Sequence, residues 1–224
     1  MTQATPSKFE YDVVEPVVYD GTWYRSRNEA KWAAFFDLVK WDVAYEEVRT
    51  GIWWPDFTFS GPSDRKIFAE VKPINLEAGW PDDSSKVIMQ EKLILKMRDA
   101  LQRGLCDEAI LLPKTATNFR WEGHGVIGLR LFPEPREERS GFARDWEHLN
   151  LRILKDGSYE YDAKDAPPMA RDMDWFEKRN AHSGRFSRAG TKEVKALWAQ
   201  ANARVLSLPV VPEAPTEVTP SPAP

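Results

Sequence analysis

Two short β-prone runs, IWWPDFTF at 52–59 and KIFAEVKP at 66–73, flank the polar stretch SGPSDR, and each carries an acid in apolar surroundings. Aromatic and branched residues favour extended chain, and Gly, Pro, Ser and Asp favour a reversal, so a hairpin-like return is expected. The first run brings Asp56 directly after Pro55, and the second ends in Glu70-Val71-Lys72. Side chains two apart on a strand share a face, so Glu70 and Lys72 point together while Val71 points into the core. As a plain turn acid, Asp56 would be costly to bury beside an aromatic run without a cation. Glu70 and Lys72 could form an ordinary surface salt bridge on an edge strand, but the apolar Ile67-Phe68-Ala69 before them places them on a central one.

Two carboxylates converging beside a lysine suit Mg²⁺, which binds through one or two carboxylates plus water and phosphate oxygens, and Mn²⁺ is expected to substitute. Such a centre stabilises charge on phosphoryl oxygens and acidifies a bound water, while Lys72 can orient or help deprotonate that nucleophile.

The surrounding chain supplies helices and further strands. EPVVYDGTWYRSR suggests a short extended lead-in. In SRNEAKWAAFFDLVK, Ala30, Ala33, Phe36 and Lys40 mark one helical row and Trp32, Phe35 and Val39 another, which predicts a mostly buried helix over 27–39. WDVAYEEVR reads as a strand broken by Gly51. Val87, Met89, Leu93, Leu95, Met97 and Leu101, interleaved with Lys and Arg, predict a long helix over 84–103 stopped by Gly104, with EAILLP as the next strand. VIGLRLF, after a Gly-His-Gly loop, and LNLRILKDGSYEYD, a hairpin around Asp156-Gly157, read as additions to the sheet. Residues 172–206 have helical composition interrupted by HSGRF, and the Pro-rich end is expected to be disordered or a linker. The chain then divides into an N-terminal extension (1–18), a core (19–135), a C-terminal extension with a hairpin and basic helices (136–206) and a tail (207–224).

Composition narrows the function classes. With 224 residues, 42% of them hydrophobic, the chain can bury one sizeable core. It contains no run of about 18 apolar residues and begins without a secretory pattern, so a cytoplasmic protein without membrane association is expected. One cysteine, Cys106, makes no internal disulfide, and histidines at 124, 148 and 182 lack zinc-ligand spacing. The formal charge of −4 leaves nucleic-acid binding to local clusters. The segment from Arg171 to Arg204 is one such cluster, with eight Lys or Arg against four acids; it reads equally as a solvated helix face or a phosphate-contacting surface.

WWPDF at 53–57 and FAEVKP at 68–73, set between a helix bearing Glu29 and a long helix that follows, resemble the PD-(D/E)XK nuclease superfamily. The resemblance covers 19–112, and YRSRNEAKWAAFFD looks like the opening helix of small phage and bacterial endonucleases and of the end-cleaving subunit of certain transposons. KRNAHSGRF is similar to an arginine-rich segment late in such phage proteins. What this implies is a restriction-endonuclease-like α/β fold, a mixed sheet flanked by helices with additional C-terminal helices. It also implies Asp56, Glu70, Lys72 and Glu29 as catalytic residues, with Asp56, Glu70 and Glu29 at the metal, and DNA as substrate. One departure stands out: several exonuclease-like members carry Gln-x-x-x-Tyr on the helix after the lysine, whereas here Gln90 is followed four residues later by Ile94.

Competing readings exist for several of these residues. Ser26 and Glu29 also match the capping-box spacing, in which the glutamate bonds the backbone at the helix start, and one rotamer cannot serve both roles. Trp53, Trp54, Trp23 and Tyr24 could stack on bases, yet aromatics in such runs are more often core. Lys92, Arg179 and Arg185 are candidate contacts to nucleic acid, although an exposed helix face explains Lys92 equally well. The expected function is a Mg²⁺-dependent DNA endonuclease. The alternatives are a non-catalytic nucleic-acid-binding subunit and a nuclease subunit active only among the protein partners of a larger DNA-processing or transposition complex.

Overall fold

The chain enters through a hairpin of β1 (Val17–Tyr19) and β2 (Thr22–Tyr24), turned at Asp20 and Gly21. Both turn residues have positive φ, 47° and 77°, as two-residue turns that follow the strand twist require. In this computed structural model the described residues are 15–61, 64–73, 92–116, 125–137, 143–162, 186–188 and 191–212.

Helix α1 (Arg27–Val39) occupies the expected span. Ser26 caps it in extended conformation, its hydroxyl accepting the Glu29 N–H at 3.2 Å. Lys40 ends it in the left-handed conformation (φ 58°), with its N–H donating to the Asp37 carbonyl. Because alanines and aromatics outnumber polar residues, most of the helix is buried, from Glu29 and Ala30 through Trp32 to Val39, with Asp37 exposed.

The main sheet has eight strands: β3 (Val43–Tyr45), β4 (Phe57–Ser60), β5 (Lys66–Val71), β6 (Glu108–Leu112), β7 (Val126–Glu137), β8 (Ala143–Leu154), β9 (Tyr159–Asp162) and β10 (Phe186–Arg188). Their order is β10-β8-β7-β6-β5-β4-β3, with β9 also on β8. Among the described strands only β5 and β6 run parallel; the connection between them contains helix α2 (Lys92–Gln102), as parallel neighbours need a crossover. The architecture is therefore a mixed α/β one with a mostly antiparallel sheet.

Strand alternation sends residues to two apolar layers. Ile67, Ala69 and Val71 of β5 join Phe57, Phe59, Ile110 and Leu112 under α1 and the C-terminal helix α3 (Thr191–Leu206). Phe68 joins Ala109, Leu111, Leu129 and Trp53 on the opposite face, where Ile94, Met97 and Ala100 of α2 pack. At Gly128 the backbones of β7 and β6 approach so closely that a Cβ would lie 2.7 Å from the Leu111 carbonyl oxygen.

Three features differ from the sequence expectation. The β8 strand begins at Ala143, well before the hairpin legible from Leu149. Within the segment read as helical, Phe186 to Arg188 instead form a strand that pairs with Leu154 to Arg152 of β8. The stretch read as a tail from 207 begins docked. Val210 bridges Val17, the Val211 N–H donates to the Pro16 carbonyl at 2.7 Å, and Trp23 Nε1 donates to the Val211 carbonyl at 3.0 Å. A short apolar run with main-chain partners outweighs its proline content. The Asp156-Gly157 hairpin is present as β8–β9, and the expected helix from 84 is seen from Lys92, with 84–91 outside the described residues. Among the described residues no helix is long and apolar enough to cross a membrane.

Candidate active site

The β4–β5 ladder pairs Phe57 with Ala69. One step further in the same register sets Asp56 opposite Glu70, and directly opposed antiparallel residues share a face. Val71 turns into the α1 layer, as the alternation requires. All three acids inferred from sequence are buried: Asp56 is 2% exposed, Glu70 6% and Glu29 8%.

Asp56 sits where the β4 ladder ends. Its Oδ2 accepts the Val71 N–H at 2.7 Å, so the carboxylate takes the part of a strand carbonyl. Its Oδ1 accepts from Arg25 Nη2 at 2.5 Å. Glu70 Oε1 lies 3.0 Å from Lys72 Nζ, and Oε2 accepts from Trp53 Nε1 at 2.8 Å. Trp53 is itself fixed by Thr50, whose hydroxyl accepts the Trp53 N–H at 2.9 Å and donates to its carbonyl at 2.6 Å, across a turn with Gly51 at φ 81°.

Glu29 stands on the first turn of α1. Its carboxylate accepts from the Ser26 hydroxyl at 2.9 Å and from the Tyr45 hydroxyl, which in turn accepts the Arg25 N–H at 3.0 Å. Ser26 thus caps the helix, while the Glu29 side chain reaches the Tyr45 hydroxyl as well as its cap. Arg25 ties the acids together: its Nε is 2.7 Å from Glu46 Oε1 and 4.0 Å from Glu29 Oε2.

The charge balance follows from these contacts. Four carboxylates (Asp56, Glu70, Glu29, Glu46) face two cations (Arg25, Lys72), a formal excess of two negative charges. Burial, then the charges of Glu70 and Glu29, hold the Asp56 carboxyl well above the usual aspartate range, against the opposing pull of the Val71 N–H and Arg25. Burial and the neighbouring Glu29 likewise push the Tyr45 hydroxyl up, so it remains a donor at neutral pH. A divalent cation carries the charge that would neutralise this excess, and hard carboxylate oxygens are the donors Mg²⁺ selects. Asp56 and Glu70 fit that group; among the described residues no three His, Cys, Asp or Glu side chains form a ready-made ligand cluster, and Glu29 is linked to Asp56 through Arg25.

Of the residues singled out from sequence, the fold gathers Asp56, Glu70, Lys72 and Glu29 at one end of β4 and β5. Lys92 is exposed at the start of α2 and makes no ion pair among the described residues. Arg179, Arg185, Gln90 and His124 lie outside the described residues. Sequence reasoning passed over Arg25 and Tyr45, and weighed Trp53 only as a base-stacking or core residue, not as a partner of Glu70. Arg25 carried a usable signal, standing one helical turn before Glu29, and Trp53 is three residues before Asp56. Tyr45 carried none, because its partner is distant along the chain. Comparison with protein-family models, with curated proteins and with solved structures finds no match for this chain.

Proposed function

We propose that this protein is a Mg²⁺-dependent nuclease of the PD-(D/E)XK type, hydrolysing phosphodiester bonds in DNA. The observation that carries the proposal is the placement of Asp56 across the ladder from Glu70, with the Lys72 ammonium 3.0 Å from the same glutamate. The order around it supports the superfamily assignment: a helix with Glu29, three antiparallel strands, a helix, and a strand parallel to the third.

Asp56 and Glu70 would hold the metal, with Glu29 assisting from the α1 side. The bound ion supplies charge stabilisation at phosphoryl oxygens and an acidified water. Lys72, as an ammonium beside Glu70, would orient the attacking water and stabilise the negative charge that develops as it loses its proton to solvent. Trp53 holds Glu70 in position through its indole N–H, and Tyr45 holds Glu29. The buried setting keeps competing water away from the carboxylates, which strengthens each of these interactions.

A second reading, an ion network inside a non-catalytic or partner-dependent subunit, is favoured by one observation: each carboxylate already has a partner within the chain. Plasmid nicking in Mg²⁺ and in EDTA separates the two. The nuclease reading expects Mg²⁺-dependent nicking, lowered by roughly 100-fold or more in both Asp56→Asn and Lys72→Ala, with circular dichroism unchanged. Equal activity in Lys72→Ala overturns it. Mn²⁺ binding measured by calorimetry, lost in Asp56→Asn, distinguishes a metal centre awaiting a partner from a purely structural network.

A further inference from the structure

Two residues before the site aspartate, Trp54 breaks the pattern of its neighbours. Trp53 and Tyr24 are buried, and Trp23 is committed to the Val211 carbonyl. Trp54 is 47% exposed, one of four large apolar side chains so placed among the described residues. The guanidinium of Arg49 lies over its ring, 3.8 Å from the centroid. Arg49 is exposed and pairs with no carboxylate among the described residues, although Glu46 and Glu47 are close in sequence. The turn between the two residues is closed by the Thr50–Trp53 hydrogen bonds and tied to the sheet by the Trp53 indole on Glu70. The indole is therefore presented from a fixed turn joined directly to the candidate active site.

We infer that the Arg49–Trp54 pair takes an unstacked nucleobase of the strand whose phosphate enters the Asp56–Glu70 site. This rests on the nuclease reading and adds the form of substrate that the site prefers. An exposed indole offers a π-face that every base can stack on, and a guanidinium over an aromatic ring adds cation–π attraction and positive charge for the backbone. In duplex DNA the bases are stacked on one another, so the pair selects a single-stranded, frayed or flipped segment beside the cleaved bond. The chain as a whole carries a formal charge of −4, which makes a local contact of this kind more consequential than a general field.

The test measures binding by fluorescence anisotropy with two labelled probes, a 20-nucleotide single strand of thymidines and the same strand with abasic sites throughout. All proteins are full-length on a Lys72→Ala background in Mg²⁺, so that the probe is not cut. Trp54→Ala should weaken binding to the thymidine strand by roughly 5- to 150-fold, the range for loss of one stacked base, and Trp54→Phe should restore most of it. On the abasic strand Trp54→Ala should change little, because there is no base to lose. Arg49→Ala should weaken both probes and flatten the salt dependence. Equal binding by Trp54→Ala and its parent, or an equal loss on both probes, overturns the stacking inference and leaves the nuclease reading intact. Failure of the parent to bind either probe also overturns the inference, whereas the nuclease reading falls only if Mg²⁺-dependent plasmid nicking is absent.

Discussion

Arg25 Nη2 donates to Asp56 Oδ1 at 2.5 Å, while its Nε lies 2.7 Å from Glu46 Oε1. One guanidinium, immediately before the α1 cap, thus reaches the acid that precedes β4 and an acid in the connection after β3. The planar fork of arginine allows both contacts at once, which an ammonium could not reproduce with the same geometry. Its position links the helix start to the sheet end where the buried acids meet.

Arg25→Ala leaves Asp56 buried with less compensation. The Arg25 side chain is 43% exposed, so solvent screening reduces the expected cost to about 1–2 kcal/mol at neutral pH, below the value for a wholly buried pair. The pH dependence has a definite sign. The folded Asp56 carboxyl titrates above the ordinary value of 3.8, so between that value and the folded one the native state binds the proton that the unfolded state has lost. Unfolding free energy therefore falls as pH rises through the window. Removing Arg25 raises the carboxyl further, so the penalty should be smallest below pH 3.8 and grow upward through the window. Urea denaturation of both proteins across that range checks this; a penalty independent of pH would show that Asp56 does not respond to Arg25.

Trp53→Phe keeps an aromatic ring against Phe68, which it meets edge-on at 5.6 Å, but removes the indole donor to Glu70 Oε2. Groups that hold a metal ligand in place typically affect metal affinity by about 10- to 100-fold when lost. The variant should fold, with stability lowered by about 1–2 kcal/mol for the unmade hydrogen bond, and should need a higher Mg²⁺ concentration for half-maximal nicking. A Mg²⁺ titration identical to the parent's would show that the indole only packs.

The parts legible in sequence are those set by local periodicity. Alternation in IFAEVK placed Val71 inward and Glu70 beside Lys72, and the apolar rows of 27–39 gave α1 its bounds. The facing of Asp56 and Glu70 was legible too, because a short polar reversal between two β-runs leaves few registers. What escaped was long-range pairing. ARDWEH is polar enough to pass for a loop, yet it forms half of β8 because β7 supplies its main-chain partners. Tyr45 and Arg25 meet through β3 lying beside the α1 cap, a closeness no spacing in either segment expresses.

Arg27 shows how the C-terminal helix is tied to the site-bearing half. Its guanidinium donates to the carbonyls of Val205 at 2.7 Å, Leu206 at 3.2 Å and Leu208 at 3.1 Å, and pairs with Glu15 at 2.7 Å. A cation at a helix C-terminus satisfies carbonyls that the helix leaves unpaired and opposes its dipole. Arg27→Ala should cost about 1–3 kcal/mol and raise amide exchange in the last turn of α3 and at Val211 before it does so in β5. Uniform acceleration across the sheet would place Arg27 in the global core instead.

Cys106 offers a readout of the α2 layer independent of catalysis. It is 4% exposed among Met97, Ala100 and Leu111. Burial first, then Asp107 and Glu108, push its thiol up to about 12, with Lys66 opposing. The thiolate is the reactive form, so near pH 8 iodoacetamide should label the native protein only through openings that expose this layer. Met97→Ala removes fully buried volume beside it and should cost about 2–5 kcal/mol, which raises the open population and the labelling rate by roughly 30-fold or more. The measured labelling rate of the parent, compared with that of urea-unfolded chain, decides the matter. If native Cys106 reacts as fast as the unfolded chain, α2 does not seal this face, and the packing that supports Phe68, Trp53 and hence Glu70 would have to be supplied from elsewhere.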